Sequence, residues 1–391
     1  MPVYRCNPED FEVEEQLAYQ PSGVGDHVYL WVEKRERTSD QVAGQIARAA
    51  GCRASDVGYA GRKDRYAIAR QWFSAPGLDP GSAGRLELDG AVVLGARRHS
   101  HRLRTGKLKA NRFRLVVRSI DPSSIARLER RLAALARWGF ANRFGTQRFG
   151  AAGDNADRGR ELLERGARPR DRRAARFLVS ALQSAVFNRL LERRAELFGA
   201  SGPGDLENAG RRPVDRLLTG DLAMKTDSGG VFEVLEPEVE QPRADAAEIS
   251  PTGLLFGRKA RLAGGVVGEL ERAVLGEWRL GQTPRIRGLR FDGARRCLRE
   301  HPADLAWSFE APSAADSGAA DRREQERALQ LCFGLASGSY ASVLLEELFE
   351  GLDLVEAAPN RYPGGSIPAL ADRATPDRSA SGCPEETGCE G

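Results

Sequence analysis

The 391-residue chain is long enough for two or three domains and a sizeable core. Its 59 Lys plus Arg nearly cancel 55 Asp plus Glu, and 41% of residues are hydrophobic, which excludes a histone-like basic tail and an acidic disordered chain. No run approaches the roughly 18 apolar residues of a membrane helix, and the start MPVYRCNPEDFEVEE lacks the apolar core of a signal peptide. The expectation is a cytoplasmic protein that does not engage membranes.

Six cysteines (6, 52, 297, 332, 383, 389) form no CxxC pair, and the four histidines (27, 99, 101, 301) are scattered. A zinc site needs paired ligands at short spacing, so neither a metal centre nor a disulfide framework is expected. Phosphate-loop, dinucleotide, zinc-protease and serine-hydrolase signatures are missing, which points to chemistry without a cofactor, nucleotide cofactors included.

In chain order, DHVYLWVEKR (26–35) places Val28, Leu30 and Val32 on one face of a strand. Thr38 to Gln41 has capping-box spacing, Val42 and Ile46 form an apolar stripe, and Gly51 stands where that helix would stop. Strands follow at AIARQWFSA and at NRFRLVVR (111–118), the latter with Phe113, Leu115 and Val117 inward and Arg112, Arg114 and Arg118 outward. One sheet face would be apolar and the other cationic. Asp121-Pro122 opens a helix with the stripe Ile125, Leu128, Leu132, Leu135 and Trp138. FANRFGTQRFG, the basic RPRDRRAAR and a long helical pattern at 177–198 come next, then an irregular α/β region at 200–260. A linker-like stretch (311–322) precedes LCFGLASGSYASVLLEELFEG, which reads as strand, glycine turn and helix. The end, from about 363, is rich in Pro, Gly and Ser and reads as a disordered tail.

Three stretches can carry chemistry. Arg97 to Arg114 holds eight Lys or Arg, two His and no acid, a local positive field suited to a polyanion. Asn111 and Phe113 are embedded in it, and cations with a stacking ring and an amide suit a splayed-out base. A solvated hairpin is the plain alternative. In GYAGRKDRYAIARQWFSA (58–75), glycines 58 and 61 free a tight turn, and Asp64 sits between Arg62, Lys63 and Arg65. Flanking cations favour its ionised form, as a nucleophile or charge stabiliser requires, although Asp is also a common turn residue. Tyr340 before an amphipathic helix and Phe11 in NPEDFEVEE read equally well as packed aromatics.

Taken together, these colinear segments resemble the TruD family of tRNA pseudouridine synthases, from NPEDFEVEE through GRKD, GKLKANRF, FANRFGTQRFG, GDLAMKTDSGGVFEV and ISPTGLLFGRK to ASGSYASVLLEEL. The resemblance implies an α+β fold: a catalytic core with a largely antiparallel mixed sheet (1–138 and 318–362), interrupted by an inserted α/β domain (139–317), with a tail at 363–391. It implies cofactor-free isomerisation of uridine to pseudouridine, at position 13 of tRNA in the typical bacterial member. Asp64 corresponds to the essential aspartate. Lys63 would hold it ionised, Phe11, Asn111 and Tyr340 would contact the target nucleotide, and Phe113 would pack on the base. Arg102, Arg104, Lys107 and Lys109 would contact the RNA backbone. A monomer is expected on the same analogy. The competing readings are a non-catalytic RNA-binding protein or RNA chaperone, and a metal-dependent nuclease, which would place acids in the basic run.

Overall fold

A computed structural model describes residues 1–166, 171–200, 206, 211–281, 288–311 and 326–357. The expected tail, residues 312–322 of the linker and residues 168–170 of the basic stretch lie outside them. The strands are β1 (Val3–Tyr4), β2 (Phe11–Leu17), β3 (His27–Arg35), β4 (Gly58–Tyr59), β5 (Ile68–Pro76), β6 (Ala91–His99), β7 (Leu108–Ile120) and β8 (Phe140–Ala141). They continue as β9 (Leu222–Lys225), β10 (Val231–Glu233), β11 (Ile249–Leu255), β12 (Ala294–Cys297), β13 (Arg299–Glu300), β14 (Ala303–Glu310), β15 (Arg327–Ala336) and β16 (Val355–Glu356). The helices are α1 (Ser39–Ala49), α2 (Ile125–Trp138), α3 (Asn155–Arg165), α4 (Arg172–Glu196), α5 (Pro237–Asp245), α6 (Gly265–Glu277) and α7 (Ala341–Leu348).

These residues form two compact units: Met1–Ala126 with Pro302–Gly338 and Glu350 onward, and Arg127–His301 with Ser339–Phe349. The first is built on a mixed sheet in the order β14-β15-β7-β2-β5-β3-β6, with β1, β4 and β16 added at its sides. Among the described residues, only β2–β5 and β1–β16 pair in parallel. Local chemistry explains the elements. Thr38 and Gln41 close a capping box on α1, Gly51 takes the left-handed φ of +63° just past it, and Val42 and Ile46 join Val28, Leu30, Val32 and Phe73 in the core. Phe113, Leu115 and Val117 of β7 are buried as the alternation requires.

The opposite face of β7 carries the expected arginines, two of them paired with acids. Arg114 pairs with Glu12 (3.0 Å) on β2, and Arg118 forks onto the buried Asp10 (2.7 Å). Acids on and just before the neighbouring strand neutralise those arginines, a pairing invisible from one segment alone. On β7 itself, the arginine left without a carboxylate partner among the described residues is Arg112, exposed toward its start.

In the second unit, α4 starts at Arg172 because Asp171 accepts from the amides of Arg173 and Ala174, five residues before the apolar pattern begins. It packs on β11 of a sheet ordered β10-β9-β11-β12. A buried charge network replaces part of the apolar core. Arg212 bonds Asp215 (2.7 Å), Glu347 (3.1 Å) and the carbonyls of Trp138 and Gly139 (2.9 Å each), while Arg299 reaches Asp215 (3.1 Å). Glu347 also accepts from the amide of Ala141 (3.0 Å), and Arg131 donates to the carbonyl of Leu348 (2.9 Å). These bonds place α7 in this unit, although the chain reaches it from the first unit's β15. The first unit resumes at Pro302, just before β14, which pairs along β15.

Truncating one member of such a network strands the others in low dielectric. Arg212→Met is expected to destabilise the protein by about 3–5 kcal/mol in urea unfolding. Arg211→Met, whose partner Asp245 is met at the surface, should stay within about 0.5 kcal/mol of wild type.

Candidate active site

Register on the central strands assembles one side of the site. Phe11 lies opposite Leu115, Val13 opposite Phe113 and Glu15 opposite Asn111, so Phe11, Val13 and Glu15 share a face with Asn111 and Phe113. β15 adds Phe333 opposite Phe113. The Phe113 ring meets Phe11 edge-on (6.1 Å) and stacks on Phe333 (5.4 Å). Phe11 and Phe113 are both buried, so here they form the floor of the site and present no open ring.

Asp64 sits in the turn between β4 and β5, its side chain 46% exposed. The turn is pinned from several sides. The buried Ser39 hydroxyl accepts from the amide of Lys63 (3.0 Å) and donates to Gln71 (2.7 Å), whose amide nitrogen donates to the carbonyl of Gly61 (3.3 Å). Lys34, wholly buried, donates its ammonium to the carbonyl of Asp64 itself (2.6 Å). Gly106 donates to the carbonyl of Ala60 (2.9 Å), which docks the basic loop on the same turn. Gly58 permits that docking: a Cβ there would lie 2.1 Å from the carbonyl oxygen of Leu103. Gly61 has ordinary φ, and a Cβ there would make only ordinary van der Waals contacts, the nearest to Lys63 Nζ at 3.7 Å, so the turn does not need glycine there.

None of the three cations flanking Asp64 in sequence touches its carboxylate. Arg62 pairs with Asp40 (3.1 Å), and Arg65 donates to the carbonyl of Glu36 (3.4 Å). Lys63, expected to hold Asp64 ionised, turns inward and donates to Asn111 Oδ1 (2.8 Å) and to the buried Glu15 (3.3 Å). Adjacent residues of an extended turn point opposite ways, so nearness in sequence misleads. The cation on Asp64 is Arg5, at 2.6 Å. Its guanidinium lies 4.0 Å over the Phe11 ring and also binds Glu356 of β16 (2.6 Å). Arg5 holds a left-handed backbone, φ +59°, which costs a non-glycine residue about 1 kcal/mol or more and is typically retained at functional positions.

Sequence reasoning missed Arg5, Glu15, Lys34 and Phe333. Two of them carried a signal: Glu15 and Lys34 fall on the buried phase of their strands, where an isolated charge requires a partner. Burial pushes the Glu15 carboxyl up, and the Lys63 ammonium opposes that shift. Burial likewise pushes Lys34 down to about 8, with Lys63 acting in the same direction and Asp64 against it.

Because Lys63 can only donate, Asn111 must turn Oδ1 toward it, which leaves the amide nitrogen as a donor aimed elsewhere. Arg102, Arg104, Lys107 and Lys109 are exposed, and among the described residues none meets a carboxylate. Arg102 donates to the carbonyl of Val57 (3.1 Å). Tyr340 belongs to the second unit, where its ring rests 6.2 Å from Phe144. Among the described residues no three His, Cys, Asp or Glu gather as metal ligands, and no helix is long and apolar enough to cross a membrane.

An accessible carboxylate clamped by a stacked guanidinium, beside an oriented amide donor, defines a site for carboxylate chemistry on a polar substrate. Comparison with known proteins gives it a family. The family model for tRNA pseudouridine synthase D (TruD) matches residues 3–169 and 164–348. A relative of that name from Anaeromyxobacter dehalogenans (strain 2CP-C) is 40% identical over 354 residues, covering 88% of this chain and 92% of the relative. Another, from Thermus thermophilus, is 38% identical over 358 residues and 91% of each chain. In fold the chain is similar to the crystal structure of a Methanosarcina mazei protein described as a putative TruD: TM-score 0.66 and 20% identity, over 88% of this chain and 92% of that one. The chain belongs to the tRNA pseudouridine synthase D (TruD) family.

Lys34 yields a test of the geometry behind Asp64. From about pH 8 to the ordinary lysine range near pH 10.4, the unfolded chain keeps a proton that the native state has lost, so stability rises with pH. Wild type is expected to gain about 2–3 kcal/mol relative to Lys34→Met across that window, read from urea midpoints at pH 7.5, 9 and 10. A constant difference would mean that Lys34 is not titrating as a buried ammonium.

Proposed function

We propose that the chain isomerises a uridine of tRNA to pseudouridine, at position 13, with Asp64 as the group acting at the ribose. A tRNA pseudouridine synthase is an isomerase: the C1′–N1 bond breaks with its electrons leaving on N1, the uracil turns, a C1′–C5 bond forms, C5 releases its proton and N1 takes one up, so no atom is gained or lost. Asp64 either attacks C1′ or removes the 2′ proton, and its partly exposed oxygen suits both. As the glycosidic electrons leave with the uracil, Arg5 and Lys63 supply positive potential around the departing ring. The free amide donor of Asn111 meets a uracil carbonyl. Phe11 and Phe113 support this from below, and Tyr340 contributes to nucleotide binding.

A uridine within folded tRNA hides its glycosidic bond, so it must be extruded at a cost of a few kcal/mol. The exposed loop bearing Arg102, Arg104, Lys107 and Lys109 offsets that cost through phosphate contacts and counterion release. Because this loop is hydrogen-bonded to the Asp64 turn, RNA held there lies beside the carboxylate. The observation that carries the reading is the Arg5–Asp64 pair next to the Lys63–Asn111 bond. Cytoplasmic location, action as a monomer and no need of a cofactor complete the proposal. The binding-only alternative keeps the basic loop and leaves Asp64 idle.

Purified protein and unmodified tRNA, without added metal or nucleotide, should yield pseudouridine at one position, mapped chemically. Asp64→Asn should lose at least roughly 10³-fold in rate while binding tRNA as wild type does. Equal product from both proteins would remove Asp64 from the reaction. Replacing Arg102, Arg104, Lys107 and Lys109 by Gln should reduce the slope of log affinity against log salt by about 0.7–0.9 per lost phosphate contact. An unchanged slope assigns the run to a solvated surface.

A further inference from the structure

Helix α4 is divided by charge. Toward its end the arginines are neutralised: Arg189 and Arg193 reach Glu277 (2.8 and 3.2 Å), and Arg194 forks onto the buried Asp221 (2.6 Å). Toward its start Arg172, Arg173 and Arg176 are exposed, and among the described residues none meets a carboxylate. Nearby acids are engaged elsewhere. α3 packs on this half of α4, with Leu162 and Leu163 against Ala175 and Val179. Its Glu164 binds Arg160 (2.8 Å) and its Glu161 binds Arg165 (3.2 Å), both on α3 itself. Asp171, just ahead of α4, accepts from the amides of Arg173 and Ala174.

Helical spacing gathers the free cations on one side. Arg172, Arg173, Arg176 and Phe177 fall within an arc of about 140°, away from the buried Ala175 and Val179. Phe177 is 47% exposed. Ser180 and Ser184 continue the same arc, and Arg148, on the short turn Thr146–Phe149, donates to both hydroxyls. It too meets no carboxylate among the described residues. The strip from Arg172 to Ser184 is about 18 Å long.

Uncancelled guanidinium groups repel one another along such a strip, and a polyanion relieves the repulsion. An exposed ring beside the charges suits an unpaired base, whereas a duplex keeps its bases stacked inside. We propose that this face of α4 binds an unpaired segment of the RNA, with phosphates on Arg172, Arg173 and Arg176 and one base on the Phe177 ring. The assignment rests on the tRNA substrate proposed above. The ring favours RNA over an acidic protein surface, since every base has a face that stacks on it.

The test uses the full chain, unmodified tRNA and two charge-matched pairs at the same spacing on this one helix. Arg172→Gln with Arg176→Gln should lower the slope of log affinity against log salt by about 1.4, as two single-strand phosphate contacts are lost. Arg189→Gln with Arg193→Gln, about 25 Å along the helix, should leave the slope as in wild type. An unchanged slope in the first pair overturns the proposal. So does an equal fall in both pairs, which would report net charge alone. Should the first pair not fold, Phe177 decides. Phe177→Ala should weaken binding roughly tenfold, and Phe177→Tyr, which keeps the ring, should bind as wild type does. Equal binding by the Ala variant, or an equal loss in both variants, overturns the proposal. A wild type that binds no tRNA overturns the tRNA reading as well, whereas pseudouridine formation with an unchanged slope overturns only this surface.

Discussion

Two buried ammonium groups govern the first unit. Lys34 and Lys63 rise from a β-strand and from a turn, and each ends on groups around Asp64: one on its backbone carbonyl, the other on Asn111 and Glu15. A buried cation cannot drift, because moving away from its acceptors costs it both solvation and hydrogen bonds. The turn therefore has little freedom even though Asp64 is half-exposed. Exposure and a fixed position are thus combined in one carboxylate, because interior cations grip the chain from behind.

The Arg5 pair adds a second layer. Its guanidinium is sandwiched between the Phe11 ring and two carboxylates, and its left-handed backbone shows that the surrounding structure imposes this pose. The aromatic group of Phe11, Phe113 and Phe333 then acts as a hard floor under a charge. Its packing on three neighbouring strands transmits the sheet's rigidity to the carboxylate.

Much of this architecture was legible in the sequence where the forces are local. Alternation gave β3 and β7, the capping box gave α1, and the position of Asp64 in a glycine-containing turn followed from composition. Partnerships between distant segments were not legible. Arg62, Lys63 and Arg65 looked like the partners of Asp64 because they adjoin it, yet they point to Asp40, Glu15 and Glu36, while the true partner stands 59 residues away. Glu15 and Lys34 were half-legible: a charge on the apolar phase of a strand announces a buried bond without naming its partner. In the second unit, the network of Arg212, Asp215, Arg299 and Glu347 joins separated segments, and no local pattern anticipates it.

The second carboxylate on Arg5 comes from β16, 351 residues further along the chain, and β1 itself pairs in parallel with that strand. A ribosome adding roughly 5–20 residues per second needs about 20–70 s to travel between the two. During that interval the nascent chain carries Asp64 and its turn, but the arginine clasp is incomplete and the Phe333 side of the floor is missing for most of the time. The second half of the clasp thus waits until β16 has been made, and a nascent chain halted before it holds Arg5 without its Glu356 partner.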